Sequence, residues 1–166
     1  LKPFQPSRLK EKIMEQKKKI IENLYTAFQN LDYQSMADCY HPDASFRDEA
    51  FDLKGTQISA MWKMLCERAK DFSLTFTVQE KNGVMTAHWE PKYTFSQTNR
   101  PVHNIIDAEF EFKDGKIIRH IDTFNFWRWS RQSLGLPGLL LGWSPLLKNK
   151  VQTQAMKSLK MFMAAS

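Results

Sequence analysis

Three side chains in this 166-residue chain have the types and settings to move protons: Asp122, His120 and Asp48. The run VHNIIDAEFEFKDGKIIRHIDTFNFWRW, residues 102–129, predicts two long strands joined by an Asp114-Gly115 turn. Asp-Gly between alternating apolar runs is a hairpin signal, because both turn positions need φ > 0. On the second strand Ile118, His120, Asp122, Phe124 and Phe126 share one face. Polar groups on such an apolar face either find a partner or line a cavity. His120 and Asp122 lie roughly 7 Å apart along the strand, so the imidazole can tune or relay the carboxyl proton. Asp48 shares a face with Ala44 and Phe46. Its alternative use is to cap the Glu49-Ala50-Phe51 loop. A carboxylate facing an apolar cavity has its pKa raised by desolvation, which suits it to accepting and returning a carbon-bound proton.

The remaining candidates are weaker by register. If Phe110 and Phe112 point inward, Ala108, Ile106 and Asn104 point with them, and Asp107 points out with Glu109 and Glu111. A bulge would reverse this. His41, His88, His103 and His120 fall on separate segments with no convergent spacing, so no metal and no cofactor are expected. Tyr25, Trp62, Phe76, Phe110, Phe124 and Phe126 are core aromatics by type, and are taken as candidate walls of a ligand pocket.

These residues need elements to hold them. Helical periodicity covers 7–30, with Ser7 as a cap and Ile13, Ile20, Ile21, Leu24, Tyr25 and Phe28 on one side. Asp32 caps a second short helix running to about Tyr40, and His41-Pro42-Asp43 ends it. Residues 44–48 read as a strand and 55–69 as a third helix. Strands follow over 72–80 and 84–96, joined by Asn82-Gly83. The second must be bulged or at an edge around Pro91. The expected order is three N-terminal helices interrupted by one strand, a four-strand meander, and a last helix over 145–163. That is α+β: a strongly curved antiparallel sheet wrapped around the N-terminal helices as a cone, with an extra C-terminal helix. Trp127 and Trp129, read as strand residues, share the face opposite Phe124 and Phe126, and need a covering partner.

Composition narrows the class. Twelve Phe and five Trp suit a pocket walled by aromatics. The net charge is +6, and basic residues crowd the segments near both ends. Acids interleave the first cluster and no stacking platform tracks either, so no nucleic-acid partner is expected. Residues 134–147, LGLPGLLLGWSPLL, are too short and too broken to span a bilayer. No membrane partner is expected, and the segment reads as a pocket lid or dimer contact. Cys39 and Cys66 read as buried reduced thiols, hence a cytoplasmic location.

Several local runs, in this order, resemble the nuclear-transport-factor-2-like superfamily, and within it the SnoaL-like and ketosteroid-isomerase-like proteins. They are Ala27-Phe28-Gln29-Asn30-Leu31-Asp32-Tyr33, then Tyr40-His41-Pro42-Asp43-Ala44-Ser45-Phe46 into Asp48, then Lys54-Gly55. The last is Asp114-Gly115-Lys116-Ile117-Ile118-Arg119-His120-Ile121-Asp122. Length implies a single domain over 1–166. The resemblance covers residues from about 15 to 129, which sets the core at about 7–131 and leaves a loop and helix over 132–166 outside it. The resemblance further implies a conical pocket and a homodimer. Asp48 is similar in position to the general base of ketosteroid isomerases. Asp122 is similar to the acid/base of SnoaL-like polyketide cyclases. The tyrosine donor of the isomerases falls at Leu24, next to Tyr25, so that constellation is incomplete here. Two functions follow as expectations. One is a cofactor-independent isomerase- or cyclase-type enzyme acting on a small apolar carbonyl substrate. The other is a non-catalytic homodimeric module that holds a small hydrophobic ligand.

Overall fold

The computed structural model describes residues 6–166. In chain order the elements are α1 (Pro6–Gln29), α2 (Tyr33–Asp38), β1 (Tyr40–Arg47), β2 (Asp52–Lys54) and α3 (Thr56–Arg68). Then come β3 (Ser73–Lys81), β4 (Val84–Phe95), β5 (Arg100–His103), β6 (Ile106–Lys113) and β7 (Lys116–Phe124). The chain closes with α4 (Phe126–Leu134), α5 (Leu136–Leu141) and α6 (Pro145–Ala164). The architecture is α+β, with one sheet in the order β2-β1-β7-β6-β4-β3 and β5 pairing β4 off that path.

The predicted turns are present. Asn82, Gly83, Asp114 and Gly115 all have positive φ, as tight hairpins between right-twisted strands require. Asp32 caps α2, accepting from the Ser35 amide at 3.1 Å. α1 starts at Pro6, so Ser7 lies inside it rather than capping it.

The sheet is not wholly antiparallel, because β1 pairs β7 in parallel. β1 also begins earlier than expected, at Tyr40, and runs through Pro42. It can do so because its register with β7 breaks between Tyr40 and Ser45, where no ladder bond needs the missing N–H. The same logic places Pro91. β6 pairs β4 only as far as Trp89, and β5 begins pairing at Lys92. Pro91 sits in the gap, where its carbonyl accepts from the Asn104 amide at 3.0 Å.

α1 lies inside the cone and buries Ile21, Leu24, Tyr25 and Phe28. Tyr25 packs 5.3 Å from Phe76 and 5.4 Å from Trp89, ring centre to ring centre. This fills the end of the cone nearest the two hairpin turns. On β6, Ile106, Ala108 and Phe110 are buried while Asp107, Glu109 and Glu111 are exposed. A register shift between Glu111 and Phe112 turns Ile117, not Ile118, into the core alongside His120 and Asp122.

The largest departure from expectation is at residues 126–134. β7 stops at Phe124 and the chain enters α4. The Asn125 carbonyl oxygen Oδ1 accepts from the Arg128 amide at 2.9 Å, an N-cap bond. On a helix, residues two apart are turned by about 200°, so Trp127 and Trp129 part company. Trp129 turns inward onto Phe126 and Phe95. Trp127 stays 37% exposed, with Arg131 stacked 4.6 Å from its ring centre.

Candidate functional site

A cavity of about 600 Å³ occupies the end of the cone away from the hairpin turns. Its walls are mostly apolar: Phe28, Phe46, Trp62, Trp89, Ile106 and Phe124 from the cone, with Trp129 of α4 and Leu147 and Val151 of α6 closing it. Asp48 and Asp122 both line it.

Asp122 is held by a chain of donors running inward from the wall. Trp62 Nε1 donates to Tyr40 Oη at 3.2 Å. Tyr40 Oη donates to His120 Nδ1 at 2.8 Å. His120 Nε2 donates to Asp122 Oδ1 at 2.8 Å. Trp89 Nε1 adds a second donor to the same oxygen at 3.3 Å. Every member is satisfied when the imidazole carries its proton on Nε2, a tautomer fixed by its neighbours. Two N–H groups on Oδ1 leave Oδ2 as the oxygen to meet a ligand. His120 is fully buried and does not line the cavity. It acts on Asp122, not on a ligand.

Asp48 sits one residue past β1, half-buried. Its Oδ1 accepts from the Ala50 amide at 2.7 Å and the Phe51 amide at 2.6 Å. Asp48 therefore both caps the loop and lines the cavity. Burial pushes its carboxyl up to about 7. The two amide bonds pull the other way, and the nearby charges of Asp122 and Glu49 push it up further. A carboxyl near 7 exchanges protons readily at neutral pH.

The other candidates divide. Trp62 and Phe124 line the cavity. Tyr25, Phe76 and Phe110 do not, because α1 fills their end of the cone. Phe126 does not either, since the start of α4 rotates it onto Trp129 and Val102. Asp107 lies on the outer sheet face with its side chain 78% exposed, bonded to His88 Nδ1 at 2.8 Å. Sequence reasoning missed Tyr40 and Trp89, whose polar atoms meet Asp122 and His120 only through the folded sheet. It turned Asn104 inward without giving it a role; the residue is a buried amide on the cavity wall. Its signal was the break between β5 and β6. Among the described residues no group of three His, Cys, Asp or Glu side chains converges as a metal site.

The model of the SnoaL-like domain family matches residues 21–120. The chain belongs to that family. No curated protein sequence matches it. Solved structures with this SnoaL-like domain's fold include a proposed polyketide cyclase from Silicibacter sp., with TM-score 0.61 at 18% identity over 69% of this chain and 92% of that one. A ketosteroid-isomerase-like protein from Catenulispora acidiphila, in complex with trimethylamine, gives 0.62 at 16% identity over 76% and 97%. An LEH-like epoxide hydrolase from M. tuberculosis gives 0.58 at 16% identity over 76% and 96%. Identities this low establish a shared fold and leave the chemistry of the SnoaL-like domain to its own site. The matched segment ends at His120, so Asp122 and the helices that close the cavity lie beyond it.

Proposed function

We propose that this SnoaL-like domain is a cofactor-independent acid/base enzyme that moves a proton on a small apolar carbonyl substrate. The observation that carries the reading is the presence of two carboxyls, Asp48 and Asp122, on the wall of one apolar cavity. Asp122 Oδ2 removes the proton from the carbon next to the carbonyl. Asp48, titrating near 7, protonates the resulting enolate oxygen. Asp122 then returns a proton to the same or a conjugated carbon as the enol O–H proton goes back to Asp48, so both carboxyls end as they began. His120, with Tyr40 behind it, is a positioning residue. It fixes Asp122 and supports its change of charge through the Nε2–H bond. The mostly apolar wall lowers the dielectric around the carboxyls.

The test works without the natural substrate. A panel of apolar ketones is incubated with the protein in deuterated water, and exchange at the α-carbon is followed by NMR. The wild type catalyses exchange on at least one member, and Asp122→Asn lowers the rate by about 10²–10⁴-fold, the usual contribution of a general base. Full exchange by both Asp122→Asn and Asp48→Asn overturns the assignment.

One observation favours a second reading. Asp107, on β6, points outward on the sheet, and the tyrosine donor of the isomerases is not matched at Leu24, which leaves the carbonyl oxygen with fewer donors. On that reading the protein, as a homodimer, holds a hydrophobic ligand without turning it over. Ligand retained through native mass spectrometry, with no exchange on any ketone, identifies it.

A further inference from the structure

The C-terminal helices are put together in an unusual way. α5 packs on α4 through its glycines. A Cβ on Gly138 would come within 2.0 Å of the Ser130 carbonyl oxygen, and one on Gly142 within 2.2 Å of Ser130 Oγ. With the small residues turned inward, the large ones face out. Leu136, Leu139, Leu140 and Leu141 are 46–65% exposed, Trp143 is 75% and Leu146 is 77% exposed. An apolar cluster of this kind on a protein surface marks an interaction site.

Charge indicates the partner. No Asp or Glu follows Asp122, while Arg128, Arg131, Lys148, Lys150, Lys157 and Lys160 do. This tail therefore carries the whole formal charge of +6, and the first 122 residues sum to zero. Cations border the leucines. Arg131 stacks on Trp127, whose Nε1 donates to the Leu139 carbonyl at 3.1 Å. The Arg100 guanidinium lies against Gly135, just before α5. Lys150 follows Leu146 by one turn, and Lys148 pairs with Glu49. Exposed leucines, a tryptophan and a surrounding positive field are what an anionic lipid surface takes up. A second copy of this chain is a poor occupant, because it would bring the same excess of cations against this one.

We infer that the α5–α6 edge docks on the surface of an anionic bilayer, lying in the interface without crossing it. No helix of the described residues is long and apolar enough to span a membrane. Reading the run by its length alone leads to no membrane partner, because it is too short to span; exposure of its leucines is what points to surface contact. Pro137, Leu147 and Lys150, from the same elements, also wall the cavity. The bilayer is thus placed to supply an apolar ligand, a clause that rests on the function proposed above.

Vesicle flotation tests the docking without any turnover, so failure of the catalytic reading leaves it standing. The full chain is mixed with phosphatidylcholine vesicles containing about 30% phosphatidylglycerol, and with phosphatidylcholine alone. The expected result is binding to the anionic vesicles that weakens with added salt, and weak binding to the neutral ones. The double variant Leu140→Ser/Trp143→Ser, which alters only exposed positions, loses partitioning about tenfold while keeping the wild-type melting temperature. Absence of wild-type binding to anionic vesicles overturns the inference. So does undiminished binding by the double variant. A wild-type dimer in sedimentation that the same substitutions split, with no vesicle binding, overturns it in favour of self-association.

Discussion

Two His–Asp pairs sit on opposite faces of the same sheet. His120–Asp122 points into the cone and His88–Asp107 points out, and each closes at 2.8 Å. Their side chains differ in setting: 0% and 2% exposed for the inner pair, 42% and 78% for the outer. Equal geometry therefore says little about what a pair does. The inner pair cannot trade its bond for water and is locked by Tyr40 and Trp89. The outer pair shares its imidazole with Glu90 and competes with solvent throughout.

The comparison breaks most sharply at His120. His120→Phe leaves the Asp122 carboxyl and the Tyr40 hydroxyl buried without their partner. Chemical denaturation is expected to show a loss of about 3–5 kcal/mol, the usual cost of breaking one side of a buried pair. A loss below that of the outer pair would show that burial is not the deciding variable.

Asp48 comes next, and its effect depends on pH. Its folded pKa of about 7 lies above the unfolded value of about 3.9. Between those values the folded chain keeps a proton that the unfolded chain has lost, so this group's contribution falls as pH rises and is fully lost above about 7. Asp48→Asn keeps an oxygen for the Ala50 and Phe51 amides and removes the titration. It should leave stability unchanged near pH 4 and raise it by about 4 kcal/mol near pH 8. Parallel stability curves for the two proteins would show that the carboxyl is better solvated than its setting implies.

Tyr25 gives a smaller effect of opposite sense to His120. Its hydroxyl is the one buried side-chain polar atom among the described residues with no hydrogen-bond partner. Tyr25→Phe should therefore stabilise by about 1 kcal/mol, since an unmade buried bond is costly to keep. Destabilisation would show that the hydroxyl is bound in solution.

The outer pair is expected to matter least. Asp107→Asn should change stability by no more than about 0.5 kcal/mol after solvent screening. Hydrogen bonds that the His88 ring donates to Asp107 and Glu90 raise its pKa. What the pair contributes is thus fully present below the ordinary histidine value and is lost as pH rises through the raised one. An effect above about 1 kcal/mol at acidic pH, read by thermal melts, would close the gap between the two faces.

Much of this contrast was legible in the sequence. The Asp-Gly and Asn-Gly turns set the hairpin registers, and strict alternation on β6 sent Asp107 outward and Ala108 inward. The placement of Asp48 by Phe46 followed from the same period. What could not be read depends on residues far apart in the chain. Tyr40 meets His120 across 80 positions, and Trp89 meets Asp122 across 33. Phe-Asn-Phe-Trp-Arg-Trp fits a strand as well as a helix over so short a window, and only the Asn125 cap decides between them. That ambiguity exchanged the places of Phe126 and Trp129. The extent of the cavity was invisible for a similar reason, since α6 closes it from outside the segment that the family shares.

That last feature bears on how such proteins diversify. Asp122 stands on a strand of the sheet and Asp48 at the end of another, whereas one wall of the chamber is a helix carried after them. Changes to Leu147, Val151 or Gln154 can reshape the space for a ligand and leave the two acids in place. Selection for a new ligand can therefore proceed at the tail while the reactive groups stay fixed. In such a lineage, specificity and reactivity would be inherited as separate parts.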